Sequence, residues 1–406
     1  MEPDFNLLRE IVSKEGRLCK FCLGSLTGEK LGAIPNTVKG AAVGEILELV
    51  ERRFEGPCRI CDDVIEGSID DLMGRALRLL SGLEYHSVKA GVKLPAWLIE
   101  REDRLRAKYN PPNMVSVKLT LVKWLDLVLS AETGVPIEKD PDVLVIFDFE
   151  LKDVELRINP VFIYGRYRKL ERGISQSRRK CPYCGGKGCE KCNWTGKIAE
   201  GSVEGMIGEV MKEFFDSDDY VLHGAGREDV DARMLGRGRP FVMELVNPRR
   251  RSADLRKIEE VINSKWRGKV EVLDLRYSNR EEVRRLKEGS PDVRKLYRAL
   301  VEVDGVITEE DLEKVERALT GAIIRQRTPK RVAWRRADLV RTRKVYEVKT
   351  KKLGERTFEM IVLCDGGLYV KELISGDDGR TTPSVAEVLG KKAFCRELDV
   401  LEVLGH

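Results

Sequence analysis

The chain has 406 residues, of which 42% are hydrophobic and 35% charged, and its formal net charge is +5. That length makes room for two or three domains with sizeable cores, and no apolar run approaches the roughly 18 residues that a membrane-spanning helix needs. The N-terminal MEPDFNLLRE has no basic region leading into an apolar stretch, so no secretory signal is expected, the cytoplasm is the expected location, and cysteines there serve metals before disulfides.

The ten cysteines include four C-x-x-C pairs. Cys19 with Cys22 and Cys58 with Cys61 are expected to form two tight knuckles that close a tetrahedral, four-thiolate site around a structural zinc ion. Val43 to Arg53 is apolar at helical spacing, and residues 1–65 read as a small metal-stapled unit. Residues 66–178 mix helices, Ile69 to Leu83 and Val117 to Leu129, with the apolar strands VLVIFDFEL and VELRI. Asn110-Pro111-Pro112-Asn113 reads as a turn. The acidic lead-in and strand pair from Asp140 to Ile158, followed by VFIYGRYRKLERG, resemble a THUMP domain, an RNA-binding module of tRNA-modifying enzymes. That resemblance implies an accessory α/β domain that grips RNA, although the residues themselves would suit any small α/β domain.

Charge is unevenly spread. Arg166 to Lys180 carries seven cations and one acid, and residues 324–352 carry twelve and two, so these stretches reach +6 and +10 against +5 for the whole chain. Such concentration is the footprint of phosphate-backbone binding. Arg166, Arg168 and Lys169 in the first stretch, and Arg331, Arg335 and Arg336 in the second, are the candidate RNA contacts, with Tyr164, Tyr167 and Trp334 in or beside them. Arg249, Arg250 and Arg251 add a third patch. Cys181, Cys184, Cys189 and Cys192 lie in CPYCGGKGCEKC, where only four residues separate the inner pair. That is short for two facing knuckles. The cluster is either a second zinc site, helped by the backbone freedom of Gly185, Gly186 and Gly188, or an inert remnant. With Trp194-Thr195-Gly196 it reads as a hinge or brace. Cys364 and Cys395 read as core residues.

Residues 179–406 alternate strands and helices. Val221 to Gly224 and Phe241 to Val246 read as strands around a Gly- and Arg-rich loop within GAGREDVDARMLGRGRPF. Ser252 to Asn263 reads as a helix, Val270 to Tyr277 as a strand and Arg280 to Lys287 as a charged helix. Thr357 to Cys364 and Leu368 to Leu373 read as a hairpin turned at Asp365-Gly366-Gly367. The expected fold is α+β: a mixed, mainly antiparallel sheet with helices packed on it and a central cleft. Within it, Gly226-Arg227-Glu228-Asp229 resembles the catalytic motif of pseudouridine synthases. KLYRALVEV, with Tyr297, resembles their second motif, and GLYVKELISG, with Lys371, their third. Together with the N-terminal cysteine pairs and the THUMP-like region, the chain most closely resembles the archaeal and eukaryotic Pus-ten family of tRNA pseudouridine synthases.

The resemblance implies the pseudouridine synthase fold, tRNA as partner, no protein partner, and isomerisation of uridines 54 and 55 of the TΨC arm. It implies Asp229 as nucleophile and Tyr297 as the residue that stacks on the base and takes a proton from it. Lys371 would keep the acid charged, Arg227 would hold the nucleotide out of the helix, Tyr369 would touch substrate, and Leu398 would form an apolar wall. Residues 324–352 would form a mobile loop that pinches the RNA arm. The chemistry is self-consistent: breaking the N-glycosidic bond, turning the uracil and rejoining it through carbon asks for one carboxylate and no organic cofactor. The nucleotide must be flipped out for the acid to reach it. A non-catalytic zinc-ribbon RNA-binding protein or modification chaperone would share the charge and cysteines but leave the three ordered motifs unexplained. A methyltransferase or thiolase would need a Gly-rich nucleotide loop that this sequence lacks.

Overall fold

The computed structural model describes residues 5–28, 35–51, 55–194, 196–198, 201–288 and 293–404. Arg52, Arg53 and Thr195, and the side chain of Arg335, lie outside the described residues. The chain forms two compact units, Met1–Pro160 with Asn247–Ser252, and Val161–Val246 with Ala253–His406. Among the described residues no helix is long and apolar enough to cross a membrane.

In the first unit, strands β1 (Val88–Lys93), β2 (Val143–Asp148) and β3 (Asp153–Ile158) form a sheet in that order, β1 parallel to β2 and β2 antiparallel to β3. Helices Val64–Leu80 and Val117–Thr133 bury the stripes their spacing calls for, including Ile65, Ile69 and Leu72 on one and Leu121, Leu125 and Leu129 on the other. Ser116 caps the second by accepting from the Leu119 amide. One apolar core runs from the cysteine knuckles to this sheet, with Phe21 meeting Trp124 edge to face at 5.4 Å. Residues on both sides of position 65 therefore share a single core, where the sequence suggested a separate metal-stapled piece.

The second unit is built on a ten-stranded sheet. Its strands are β4 (Val161–Lys169), β7 (Asp219–Gly224), β8 (Ala232–Val246), β9 (Val270–Ser278), β10 (Arg294–Val303), β11 (Ile323–Arg327), β12 (Val340–Lys352), β13 (Thr357–Asp365), β14 (Thr381–Thr382) and β15 (Ala393–Leu404). The short pair β5 (Arg179–Lys180) and β6 (Lys197–Ile198) stands apart as its own hairpin. The order is β14-β11-β12-β13-β10-β15-β8-β4-β9, with β7 also on β8. Every pairing is antiparallel except β15 with β8, so the expected mixed, mainly antiparallel sheet is what forms. β8 serves both halves: Ala232 to Met234 run beside Leu398 to Val400, and after Gly236 and Gly238, both at positive φ, the strand continues beside β4 and β7. A Cβ on Gly238 would come within 2.7 Å of the Tyr167 carbonyl, so the bend needs glycine there.

Three sequence expectations change. VFIYGRYRK, assigned to the RNA-binding module, is β4, an interior strand buried on both faces in the larger sheet, and the division falls at residue 160 rather than near 178. Leu368 to Leu373 is no strand: Val370–Ser375 is a short helix that buries Val370, Leu373 and Ile374 at helical spacing, which six residues hardly distinguish from alternation. The basic stretch 324–352 is an antiparallel pair, β11 and β12, joined through a 3-10 turn at Lys330–Arg335.

Candidate active site

The Asp229 loop links β7 to β8 on the second unit and opens on a cleft of about 380 Å³. Strand β10 alternates buried and half-buried residues, which turns Tyr297 inward, and Tyr297 and Leu398 of the neighbouring β15 form part of the cleft wall. Arg227, Asp229, Tyr369 and Lys371 line the same cleft. The proposed acid, tyrosine, lysine and apolar wall thus come together, although 142 residues separate Asp229 from Lys371.

Asp229 keeps 31% of its side chain exposed, and Arg331 Nη1 lies 3.0 Å from Oδ2, with Lys371 Nζ at 3.6 Å. Arg331, expected to contact RNA, is therefore the nearer cation on the acid; it also binds Glu372 at 2.6 Å and stands 5.8 Å from the Tyr369 ring. The closest carboxylate to Lys371 is Asp231, at 2.6 Å. Burial opposes ionisation of Asp231, yet the Lys371 hydrogen bond holds its carboxyl below the ordinary range.

The loop is held by residues that sequence reasoning missed. Glu228, next to the acid, is fully buried against Arg239 (2.8 Å; side chains 0% and 1% exposed) and accepts from the Tyr167 hydroxyl. Gln176 donates to the Gly226 carbonyl at 2.9 Å, and Gln326 clamps the Tyr369 backbone by accepting from its amide and donating to its carbonyl. Lys295, two residues before Tyr297 on β10, lines the cleft at 8% exposure. Burial, then the nearby Arg239, pushes its amine down to about 8. Gly226 takes φ +83°, and a Cβ there would crowd Arg239 Nη1 and Lys295 Nζ at 3.1 Å. The signals available were faint: a second acid inside the motif, and a lysine one side-chain period from the tyrosine.

Not every expected RNA contact faces outward. Lys169 is wholly buried and donates to the carbonyls of Ile174, Asp229 and Val230, so it pins the loop rather than touching RNA. Arg166 is buried against the Arg237 carbonyl, and Tyr167 is completely enclosed. Arg168 pairs with Glu271 at 3.3 Å. Arg336 is exposed on the cleft rim, and Arg249 and Arg250 are exposed on the first unit.

Both cysteine clusters can hold a metal ion. In each, four sulfurs lie within 4.8 Å of one another. Tetrahedral zinc, with bonds of about 2.3 Å, sets its sulfurs about 3.8 Å apart. Cys19 and Cys61 sulfurs are 3.6 Å apart, and in the second cluster the Cys181–Cys189, Cys184–Cys192 and Cys189–Cys192 separations are 3.9, 3.9 and 3.7 Å. Burial drives the Cys22 thiol well above its ordinary range, so four thiolates coexist there only around a cation. The short second cluster closes because Gly185, Gly186 and Gly188 all take positive φ, and the amides of Gly188 and Gly196 donate to its sulfurs. Cys364 is buried as expected and Cys395 half-buried.

A carboxylate clasped by two cations, in a cleft rimmed with Arg beside the central strands β10 and β15 of a mixed sheet, has the charge to meet a polyanion. Residues 162–404 match the family model described as "Pus10, C-terminal". The chain belongs to the Pus10 family. A Korarchaeum cryptofilum protein named tRNA pseudouridine synthase Pus10 is 62% identical over 349 residues, covering 86% of this chain and 93% of that protein. The proteins of the same name from Methanocaldococcus jannaschii and Pyrococcus furiosus are 44% identical over 89% of this chain and 79% of that one, and 41% identical over 98% and 97%.

Proposed function

We infer that the chain isomerises uridine to pseudouridine in tRNA, with Asp229 as nucleophile. Family membership gives the activity, and the observation that carries the residue assignment is the convergence of Asp229, Tyr297, Lys371 and Leu398 on one cleft. Arg331 and Lys371 offset the cost of keeping a carboxylate in that partly dry place. Asp229 attacks C1′ of a flipped uridine, the C1′–N1 bond breaks, and its electron pair leaves on the uracil. The uracil, held against Tyr297 and Leu398, turns until its C5 displaces the carboxylate from C1′; Tyr297 then relays the C5 proton to solvent while N1, which kept the electron pair, takes up a proton, so that atoms and charge balance. Arg227 and Arg336 face the flanking phosphates. By the family resemblance the targets are uridines 54 and 55 of the TΨC arm, the first unit is a THUMP-like tRNA grip, the location is the cytoplasm and no protein partner is needed. The test is to incubate the pure protein with unmodified tRNA, without added cofactor, and map pseudouridine along the product. Formation at the TΨC arm supports the assignment, and none anywhere overturns it.

The metal in both clusters is assigned as zinc, which would tie together chain segments and take no part in the reaction. Elemental analysis of the purified protein is expected to find about two zinc ions per chain, the number two four-thiolate sites allow. A folded, unchelated sample with none would remove the assignment.

Lys295→Met separates stability from function. Because burial lowers the folded amine to about 8 from an ordinary 10.5, the unfolded chain binds a proton that the folded one releases between those values. Wild-type stability therefore rises with pH across that window, and below it the cost, on the order of 3 kcal/mol, is fully present. The variant is expected to melt higher than wild type at pH 7, with the gap closing toward pH 10, while product formation falls because the cleft loses a cation. An equal gap at both pH values would show that Lys295 carries no such cost.

A further inference from the structure

The second cysteine cluster is not wrapped into a core as the first is. Its loop, within the second unit, runs out through β5 and returns through β6, and it presents two aromatic rings to solvent: Tyr183, 68% exposed, and Trp194, 74% exposed. Trp194 stands at φ +61°, a left-handed conformation costly for a bulky residue, and the neighbouring Gly188 leaves no room for a Cβ against the Trp194 carbonyl, 2.8 Å away. A ring serving packing would be turned inward. Here the backbone is held in an unfavourable state with the ring in water. Lys191 Nζ lies 3.9 Å from the Tyr183 ring centre, and Arg179, Lys180 and Lys187 are also exposed, against the single acid Glu190. The stalk is firm: Arg178, just before β5, is buried between Glu204 and Asp219, and two residues earlier Gln176 holds the Gly226 carbonyl of the acid's loop.

We propose that this knuckle is an RNA-binding element that stacks unpaired bases of the tRNA on Tyr183 and Trp194 while its lysines take the adjoining phosphates. The reading rests on the proposed RNA substrate. Exposed aromatic faces interleaved with cations suit single-stranded nucleotides, whose bases offer free faces, better than a duplex, whose bases are already stacked. A metal at the four cysteines would hold the rings at a fixed spacing, so that little entropy is lost when bases arrive.

The test compares wild type with Tyr183→Ala/Trp194→Ala and, separately, Lys187→Glu/Lys191→Glu, by binding to an unmodified tRNA transcript over a salt series. Metal content of each variant serves as the sign that the knuckle is still folded. The aromatic variant is expected to lose about ten-fold in affinity per ring, and the charge variant to show a shallower salt dependence. A short single-stranded oligoribonucleotide should quench wild-type tryptophan fluorescence, a blunt RNA duplex should not, and Trp194→Phe should lose the quench. Unchanged tRNA affinity in a metal-loaded aromatic variant, or equal quenching by duplex, would overturn the proposal. If wild type modifies tRNA and the variant binds it equally well, only the knuckle assignment fails. If wild type binds through the knuckle yet forms no pseudouridine, only the proposed reaction fails.

Discussion

Asp229→Asn is expected to give a folded protein that still binds tRNA and forms no detectable pseudouridine, a fall of roughly 10⁴ or more, the scale on which losing a covalent nucleophile acts. The amide has the shape of the acid but carries no charge, and its oxygen is far too weak a nucleophile to attack C1′. Folding should survive because Lys169 holds this loop by the Asp229 main-chain carbonyl, which the substitution leaves in place. Affinity should hold or rise, since Arg331 and Lys371, still paired with Glu372 and Asp231, would face the phosphates with one opposing charge fewer beside them. The measurements are single-turnover pseudouridine formation and tRNA binding on one preparation. Near wild-type product from this variant would reduce the acid to a loop residue. A binding protein without catalysis predicts no difference between the two proteins in any RNA-dependent function.

Arg239→Met should produce the largest loss of stability. It strips the buried Glu228 of its guanidinium partner and leaves a carboxylate that keeps the Tyr167 hydroxyl bond but no ion pair among the described residues, a change costing about 3–5 kcal/mol. Thermal unfolding should show the fall, and activity at permissive temperature should drop with it, because Glu228 directly precedes Asp229, the proposed nucleophile. The double variant Glu228→Leu/Arg239→Met is the discriminating partner. Replacing both charges by apolar groups is expected to restore much of the melting temperature. Activity should stay low, since nothing then fixes the acid's approach. A single variant that melts like wild type would mean the ion pair does not support the loop.

Much of this site was legible because its signals are local. Two cysteines at C-x-x-C spacing define a knuckle wherever the chain goes, and KLYRALVEV alternates as β10 does. What the sequence hid depends on partners far along the chain. Lys169 reads as one more cation in an Arg-rich run, and only the return of residues 229 and 230 past β4 shows that its amine is spent on carbonyls. Arg331 sits in a basic stretch whose sum suggested RNA, yet its fork closes on an acid 102 residues earlier. The strand at 161–169 has the pattern of any buried strand, and its membership of the larger sheet is decided by β8 and β9, more than 60 residues away. Six residues after Tyr369 carry too short a pattern to tell period two from period three and a half.

The only two glutamines of the chain, Gln176 and Gln326, fasten two segments that line the cleft, one at Gly226 and the other at Tyr369. A carboxamide can give and accept a hydrogen bond at once without bringing a charge of its own. The chamber's geometry is thereby uncoupled from its electrical balance: acidity can rise or fall and ions come and go while these two fastenings stay as they are. Glutamate at either place would set an anion against a main-chain oxygen and add negative potential where a nucleic acid has to enter.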